Sequence, residues 1–280
     1  MAFKTILLNL NETERNGALI EQAANLARAM DAHIAGHYVI PAVQVYPSTA
    51  FEAMPVIFEA HREFFSKQQG QVKSSFLEAL RRHGVQGDMA VVDSPSPLIC
   101  DSVIEHGRVS DLVLVSQVDT SGNQGVELDF VDRVVIEVGR PVLVMPLQAK
   151  PVERIGTAIV AWNGRREAAR AAFDSLPLLR QAKEVRVVRV DPQRDDEGPT
   201  TLAGSELAET LARHGINATV EPISSNGQEA GLALLTKVFD VGADLLVMGA
   251  YGHSRAREFI LGGATRQMLK NMRSLVLFSH

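Results

Sequence analysis

The sequence that decides the fold reads DLLVMGAYG over residues 244–252 and LGGAT over residues 261–265. An apolar run, short enough for a buried parallel strand, ends at Gly249. A helical pattern begins after the glycine pair that opens with Gly262. A strand, a glycine loop and a helix in this order present backbone N–H groups and a helix N-terminus to an anion, usually phosphate. A plain turn between strand and helix is the alternative at this point.

Length and composition place the chain among ordinary globular proteins. Its 280 residues suffice for two domains, and 46% of them are apolar and 22% charged. The formal net charge of −5 means that any anion site must be local and that nucleic acid is not an expected partner. The start of the chain shows no cleavable signal pattern, and no apolar run approaches the ~20 residues that span a bilayer. We therefore expect a cytoplasmic protein without a membrane partner.

The single cysteine, Cys100, excludes an intrachain disulfide and suits a reducing compartment. It lies in a helical pattern among apolar residues such as Leu98 and Val103. Buried packing is therefore favoured over a redox role.

Short apolar runs alternate with helical patterns along the whole chain. The predicted strands cover residues 6–8, 34–40, 89–92, 111–115 and 140–146, then 155–162, 184–190, 218–221, 244–248 and 275–278. The predicted helices cover residues 18–30, 56–82, 98–106, 126–138, 165–179, 206–214 and 228–239, with a last one after 262. A polar joint at 148–151 separates two runs of five strands. The pattern predicts an α/β protein of two tandem domains, 1–147 and 152–280, each with a parallel sheet and right-handed crossovers.

The two halves are copies of one unit. Residues 111–115 align with residues 244–248 at an offset of 133, whereas Asn11 aligns with Asn163 at an offset of 152. The offsets differ by 19, so the first half carries about nineteen extra residues, which we expect within residues 41–70.

The copies differ at the glycine positions. In the first copy, the counterparts of Gly249, Gly252, Gly262 and Gly263 are Ser116, Asp119, Asp129 and Phe130. A carboxylate about 4 Å from a phosphate charge costs on the order of 4 kcal/mol at an effective dielectric near 20. The first copy is therefore predicted not to bind a polyphosphate here, and the second copy is the predicted site.

The spacing Gly249-x2-Gly252-x9-Gly262 after an apolar strand resembles the nucleotide-binding signature of the universal stress protein family, and the resemblance covers essentially the whole chain. It implies two domains, each with a five-stranded parallel sheet in the order 3-2-1-4-5 and helices on both faces. It also implies ATP, AMP or ADP, with or without Mg²⁺, at the carboxyl ends of the strands. The two domains would pack as an intrachain pseudo-dimer through their fifth strands, and a homodimer of the whole chain stays open.

The resemblance also assigns roles to residues. Backbone amides of the motif glycines would hold phosphates, and Asn163 stands where the family usually has an aspartate that contacts the ribose or base. Gly263 stands where the family usually has serine or threonine, and Thr265 is the nearest substitute. Strand ends at Ala161 and Val190 would form the adenine slot. The candidate nucleotide-binding residues are Ala161, Asn163, Val190, Gly249, Gly252, His253, Ser254, Arg255, Gly262, Gly263, Ala264 and Thr265.

Several nearby side chains have two interpretations. Arg255 or Arg257 could neutralise phosphates, or could be solvated loop residues. Arg266 could face the same anion, although a solvated outer face shared with Lys270 is favoured. Trp162 could border the base or pack in the core.

Enzyme motifs are absent from the sequence, which contains no Gly-x4-Gly-Lys-Ser/Thr, Gly-x-Ser-x-Gly, His-Glu-x2-His or Cys-x2-Cys pattern. His33 and His37 stand four apart on a predicted strand, which is a weak metal signal. We therefore predict no catalytic or metal-binding residues. The leading hypothesis is a regulatory nucleotide-binding protein; the alternatives are a slow ATPase or phosphoryl-transfer enzyme, and a module for another small ligand or for protein partners alone.

Overall fold

The computed structural model describes residues 2–44, 54–121, 125–191, 204–251 and 263–280. The first half contains β1 (Thr5–Asn9), α1 (Asn16–Met30), β2 (His33–Ile40), α2 (Met54–His83), β3 (Gly87–Asp93), α3 (Ile99–Gly107), β4 (Leu112–Ser116), α4 (Phe130–Glu137) and β5 (Val142–Met145). The second half contains β6 (Thr157–Ala161), α5 (Arg166–Asp174), α6 (Leu176–Leu179), β7 (Glu184–Val190), α7 (Gly204–Arg213), β8 (Ala218–Ile223), α8 (Ala230–Asp240), β9 (Leu245–Gly249), α9 (Gly263–Asn271) and β10 (Leu275–Ser279).

The strands form one ten-stranded sheet in the order β3-β2-β1-β4-β5-β10-β9-β6-β7-β8. Strand pairs within each half are parallel, and each half has the predicted order 3-2-1-4-5. The halves join where β5 and β10 pair antiparallel, with Val144 opposite Val276 and Leu143 opposite Leu277. The predicted fold class and the contact between the two fifth strands are confirmed.

Helices cover both faces of the sheet because the strands are apolar on both sides. Along β1, Ile6 and Leu8 belong to one hydrophobic cluster and Leu7 to the other. The first cluster includes residues of α1, α2, α5, α6 and α7, and the second includes residues of α3, α4, α8 and α9. This double burial is typical of parallel sheets.

The duplication is visible in equivalent elements. β1 and β6 start 152 residues apart, and β4 and β9 start 133 residues apart, as the sequence alignment predicts. The extra residues of the first half lie between β2 and β3, where α2 has 30 residues and its counterpart α7 has 10. The buried side chains of α2 begin only at Val72, so its N-terminal turns project from the domain.

An aspartate directly before the fourth strand of each half makes equivalent hydrogen bonds. The carboxylate of Asp111 accepts hydrogen bonds from the amides of Lys4 and Thr5 at 2.7 and 3.0 Å. In the second half, Asp244 accepts from the amides of Gly156 and Thr157 at 2.7 and 3.1 Å. Each carboxylate satisfies amides at the beginning of the first strand, which would otherwise lack a ladder partner.

Two predicted helices differ from the structure. The helix predicted over 165–179 is divided at Ser175, whose hydroxyl donates to the Ala172 carbonyl at 2.9 Å. Pro177 stands at the start of α6 and has no N–H with which to continue α5. The helix predicted over 126–138 is shorter, from Phe130 to Glu137, because the preceding residues pack back onto the end of β1. Among the described helices, none combines the length and apolar character that crossing a membrane requires.

Candidate functional site

A cavity of about 290 Å³ lies at the carboxyl ends of β6, β7 and β9 in the second half. β6 pairs with β7 on one side and β9 on the other, so the cavity lies where the strand order reverses, the usual binding position in open α/β sheets. The predicted site residues that line it are Ala161, Asn163, Val190, Gly249, Gly263, Ala264 and Thr265. Gly252, His253, Ser254, Arg255, Arg257 and Gly262 lie outside the described residues.

One side of the cavity is apolar. Ala161, Val188 and Val190 come from the ends of β6 and β7, and Met248 comes from β9. Trp162 is only 6% exposed and belongs to the hydrophobic core, although it also lines the cavity. Its contact with a base stays a prediction. This side has the shape and chemistry of a slot for a flat, weakly polar group.

The other side is formed by two helix N-termini. Ala230 begins α8, Gly263 begins α9, and both line the cavity with Thr265, whose side chain is buried. The first turns of both helices contain no acidic residue, although Glu229 is the N-cap residue of α8 and its carboxylate accepts a hydrogen bond from the side chain amide of Gln267 in α9. The positive ends of the two helix dipoles favour an anion on this side.

Gly249 has a packing role that the sequence did not reveal. A Cβ atom at this position would lie 2.4 Å from the carbonyl carbon of Glu167 and 2.5 Å from the amide of Ala168. Glycine is therefore required because α5 approaches the end of β9 closely. The predicted contact of the Gly249 amide with phosphate stays a prediction.

Asn163 takes a local role in the turn before α5. Its Oδ1 accepts the amide hydrogen of Arg165 at 3.0 Å, and Gly164 has a φ of +73°. The side chain is exposed at the cavity rim, and its contact with ribose or base stays a prediction. The counterpart Asn11 is buried instead and joins β1 to β2 through both the amide and the carbonyl of Val39.

The structure adds charged residues that sequence reasoning missed. Arg165 and Arg189 line the cavity, one before α5 and the other near the end of β7. Glu167 also lines it and is ion-paired with Arg166. Burial alone would raise the pKa of Glu167, but the hydrogen bond from Arg166 and that from a backbone amide lower it overall, so the carboxylate stays charged. The strand and helix ends could be predicted, but not the direction of these side chains.

Arg266 and Lys270 are exposed, and neither lines the cavity. The favoured interpretation of a solvated outer face of α9 is therefore confirmed.

At the equivalent place in the first half, a carboxylate of the chain itself contacts the helix N-terminus. The Glu127 carboxylate accepts the amide hydrogens of Ile99 and Cys100 at the start of α3, the counterpart of α8. A Cβ atom on Gly125 would lie 2.2 Å from the carbonyl oxygen of Asn11, so this segment packs directly on the end of β1. An internal carboxylate thus occupies the helix N-terminus that the second half leaves to the cavity. This arrangement supports the predicted asymmetry between the halves.

Cys100 is fully buried, as predicted. Burial, and then the charge of Glu127, raise the pKa of its thiol to about 12. We expect the native protein not to react with dithionitrobenzoate at pH 8, whereas the chain unfolded in urea should release one equivalent of thiolate dye. Stoichiometric labelling of the native protein would contradict this assignment.

His33 and His37 do not form a metal pair. His33 Nε2 contacts the carboxylate of Asp88, whereas His37 is buried, with its Nε2 3.0 Å from the hydroxyl of Ser102. Within the described ranges, no three His, Cys, Asp or Glu residues are grouped as a metal site would need.

Comparison with known proteins gives one sequence relative and several structural ones. No family model matches the chain. A universal stress protein of Synechocystis sp. (strain ATCC 27184 / PCC 6803 / Kazusa) is 28% identical over 141 residues, which make up 50% of this chain and 46% of that protein. The chain therefore matches about half the length of this relative.

Two similar solved structures extend over the whole chain. A universal stress protein from Archaeoglobus fulgidus DSM 4304 aligns with a TM-score of 0.71 and 15% identity, covering 98% of this chain and 97% of that one. A putative universal stress protein from Pseudomonas aeruginosa UCBPP-PA14 aligns with a TM-score of 0.56 and 13% identity, covering 99% and 93%. At these identities the likeness shows the shared two-domain fold.

Proposed function

We propose that this chain, which has the tandem fold of the universal stress proteins, binds one adenine nucleotide in the cavity of its second half. The observation that carries the proposal is a cavity at the topological switch point with an apolar slot on one side and two helix N-termini on the other. An adenine ring matches the slot, and phosphates match the helix N-termini. ATP, ADP and AMP all contain an adenine ring and at least one phosphate.

Charge distribution supports phosphate at this end. Arg165 and Arg189 add positive charge at the cavity, and guanidinium groups match phosphate oxygens in geometry. The one carboxylate among the described lining residues, Glu167, is ion-paired with Arg166. Mg²⁺ would arrive with the nucleotide phosphates, since it usually keeps most of its water and binds through one or two protein ligands.

The same residues favour binding over catalysis. Glu167 is held by Arg166 and its pKa is lowered, so it is a weak base for removing a proton from an attacking water. We propose that the nucleotide acts as a regulatory ligand of domain 152–280. Domain 1–147 would serve as its structural partner.

Calorimetric titration of the full chain with ATP, ADP and AMP tests this function, with GTP as the control for base selectivity. We expect one site per chain for the adenine nucleotides and weaker binding of GTP. The double variant Gly252→Asp plus Gly262→Asp, which copies the first half, should lose this binding. Two sites per chain would contradict the proposed asymmetry between the halves, and absence of any binding at millimolar ATP would contradict the function itself.

A further inference from the structure

Tyr251 lies where the cavity of the second half meets the first half. It follows β9, lines the cavity and is only 6% exposed. Its hydroxyl donates a hydrogen bond to Oδ1 of Asp132, which lies in α4 of the first half. Burial, and then the charge of Asp132, raise the pKa of Tyr251, so the phenol keeps the proton that it donates.

The backbone at Tyr251 is unusual for a tyrosine. Its φ is +58°, in the left-handed region that side chains with a Cβ atom adopt at a cost of about 1–2 kcal/mol. Such a conformation persists only where surrounding contacts hold it. The hydrogen bond to Asp132 is a contact that can do so, and it comes from the other domain.

The first half makes a second contact with the second half, near the end of α9. Gln117 Nε2 donates to the carbonyl oxygen of Leu269 at 2.6 Å, near the end of α9. Gln117 Oε1 accepts the amide hydrogen of Leu147 at 3.0 Å, which fixes the orientation of the side chain amide. The first half therefore contacts the chain before and after residues 252–262, the stretch that joins β9 to α9.

In the aligned copies, the counterparts of Tyr251 and Asp132 cannot form the same hydrogen bond. At the offset of 133, Asp132 is the counterpart of Thr265, and Val118 is the counterpart of Tyr251. The symmetry-related pair would therefore join Val118 to Thr265, and valine has no hydroxyl to donate. Thr265 lines the cavity of its own half, whereas Asp132 is bonded to the other half.

We propose that Asp132 is a positioning residue for the nucleotide site and acts across the domain boundary through Tyr251. This inference rests on the proposed function. The bond to Asp132 holds Tyr251 in its left-handed conformation and so fixes the part of the cavity wall that Tyr251 forms. A site ordered in advance binds more tightly, because the fraction of molecules that can bind is larger. The first half thus contributes to a site whose ligand it does not touch.

ATP titrations of the full chain test this role with four variants. Tyr251→Phe and Asp132→Ala each remove the hydrogen bond, and we expect each to weaken ATP binding about tenfold. Asp132→Asn keeps an acceptor oxygen and should bind within about twofold of the parent. Glu137→Gln is the matched control, since Glu137 is an exposed carboxylate at the other end of the same helix and contacts Arg133. It should bind as the parent does.

The double variant Tyr251→Phe plus Asp132→Ala separates positioning from general destabilisation. If one hydrogen bond carries both effects, the double variant should bind no more weakly than either single variant. The inference would be overturned if the losses of ATP affinity in the two single variants multiplied in the double variant. It would also be overturned if Tyr251→Phe bound ATP as tightly as the parent. Should Asp132→Ala fail to fold, Tyr251→Phe decides, because it removes only one oxygen. A parent chain that binds no ATP would instead refute the proposed function.

Discussion

Replacing Gly263 with aspartate should weaken ATP binding at least a hundredfold without loss of folding. Gly263 begins α9 at the cavity, and a carboxylate about 4 Å from a phosphate charge costs about 4 kcal/mol at an effective dielectric near 20. The site can accommodate the side chain, because the nearest atom to an added Cβ is Glu229 Oε2 at 3.9 Å. An acidic residue in the first turn of a helix is favourable, whereas the nearby Glu229 carboxylate repels the new charge. These two effects oppose each other, so the stability of α9 should change little.

Gly263→Asn is the matched control, because it has nearly the same shape without the charge. We expect it to bind ATP within a few fold of the parent, and all three proteins to have similar thermal midpoints without ligand. Calorimetry measures the affinities, and circular dichroism measures the midpoints. Equal binding by the aspartate and asparagine variants would mean that no phosphate lies at the N-terminus of α9.

The asymmetry between the halves has a physical cause beyond the loss of glycines. The sequence pointed to Asp119 and Asp129 as the residues that exclude phosphate from the first half. In the structure, Asp119 accepts hydrogen bonds from Ser121, whereas Asp129 is the exposed N-cap residue of α4, the counterpart of α9. The sequence missed Glu127, whose carboxylate accepts amide hydrogens at the N-terminus of α3, the counterpart of α8. Its role depends on the path of a loop, which hydrophobic periodicity does not encode.

The sheet could be predicted because a strand buried on both faces must be apolar throughout. The run over 275–278 lies within β10, whose five residues are all buried, and the duplication offsets match the strand starts. Strand-end residues such as Ala161 and Val190 could be placed at one cavity because the carboxyl ends of parallel strands meet at one edge. The role of Tyr251 could not be predicted, because its partner Asp132 is 119 residues away and in the other domain.

His37 should make the folded protein sensitive to acid. The residue lies on β2, is 1% exposed, and has its ring centroid 4.4 Å from that of His106. Burial, and then the neighbouring charge of His106, lower the pKa of His37 from 6.5 to about 4. A buried ring in contact with the Ser102 hydroxyl is thus held neutral in the folded state at pH values where it would be charged in the unfolded chain.

The sign of the effect follows from proton binding. Between pH 6.5 and 4 the unfolded chain takes up a proton at His37 that the folded chain does not. The free energy of unfolding therefore decreases as the pH is lowered, by up to about 1.4 kcal/mol per pH unit. Over this window we expect a loss of about 3 kcal/mol. In urea titrations from pH 7 to 4, His37→Phe should gain that amount relative to the parent. His33→Phe, on the same strand with its side chain 44% exposed, is the control. An equal gain in His33→Phe, or none in His37→Phe, would show that the buried ring is not the acid-sensitive group.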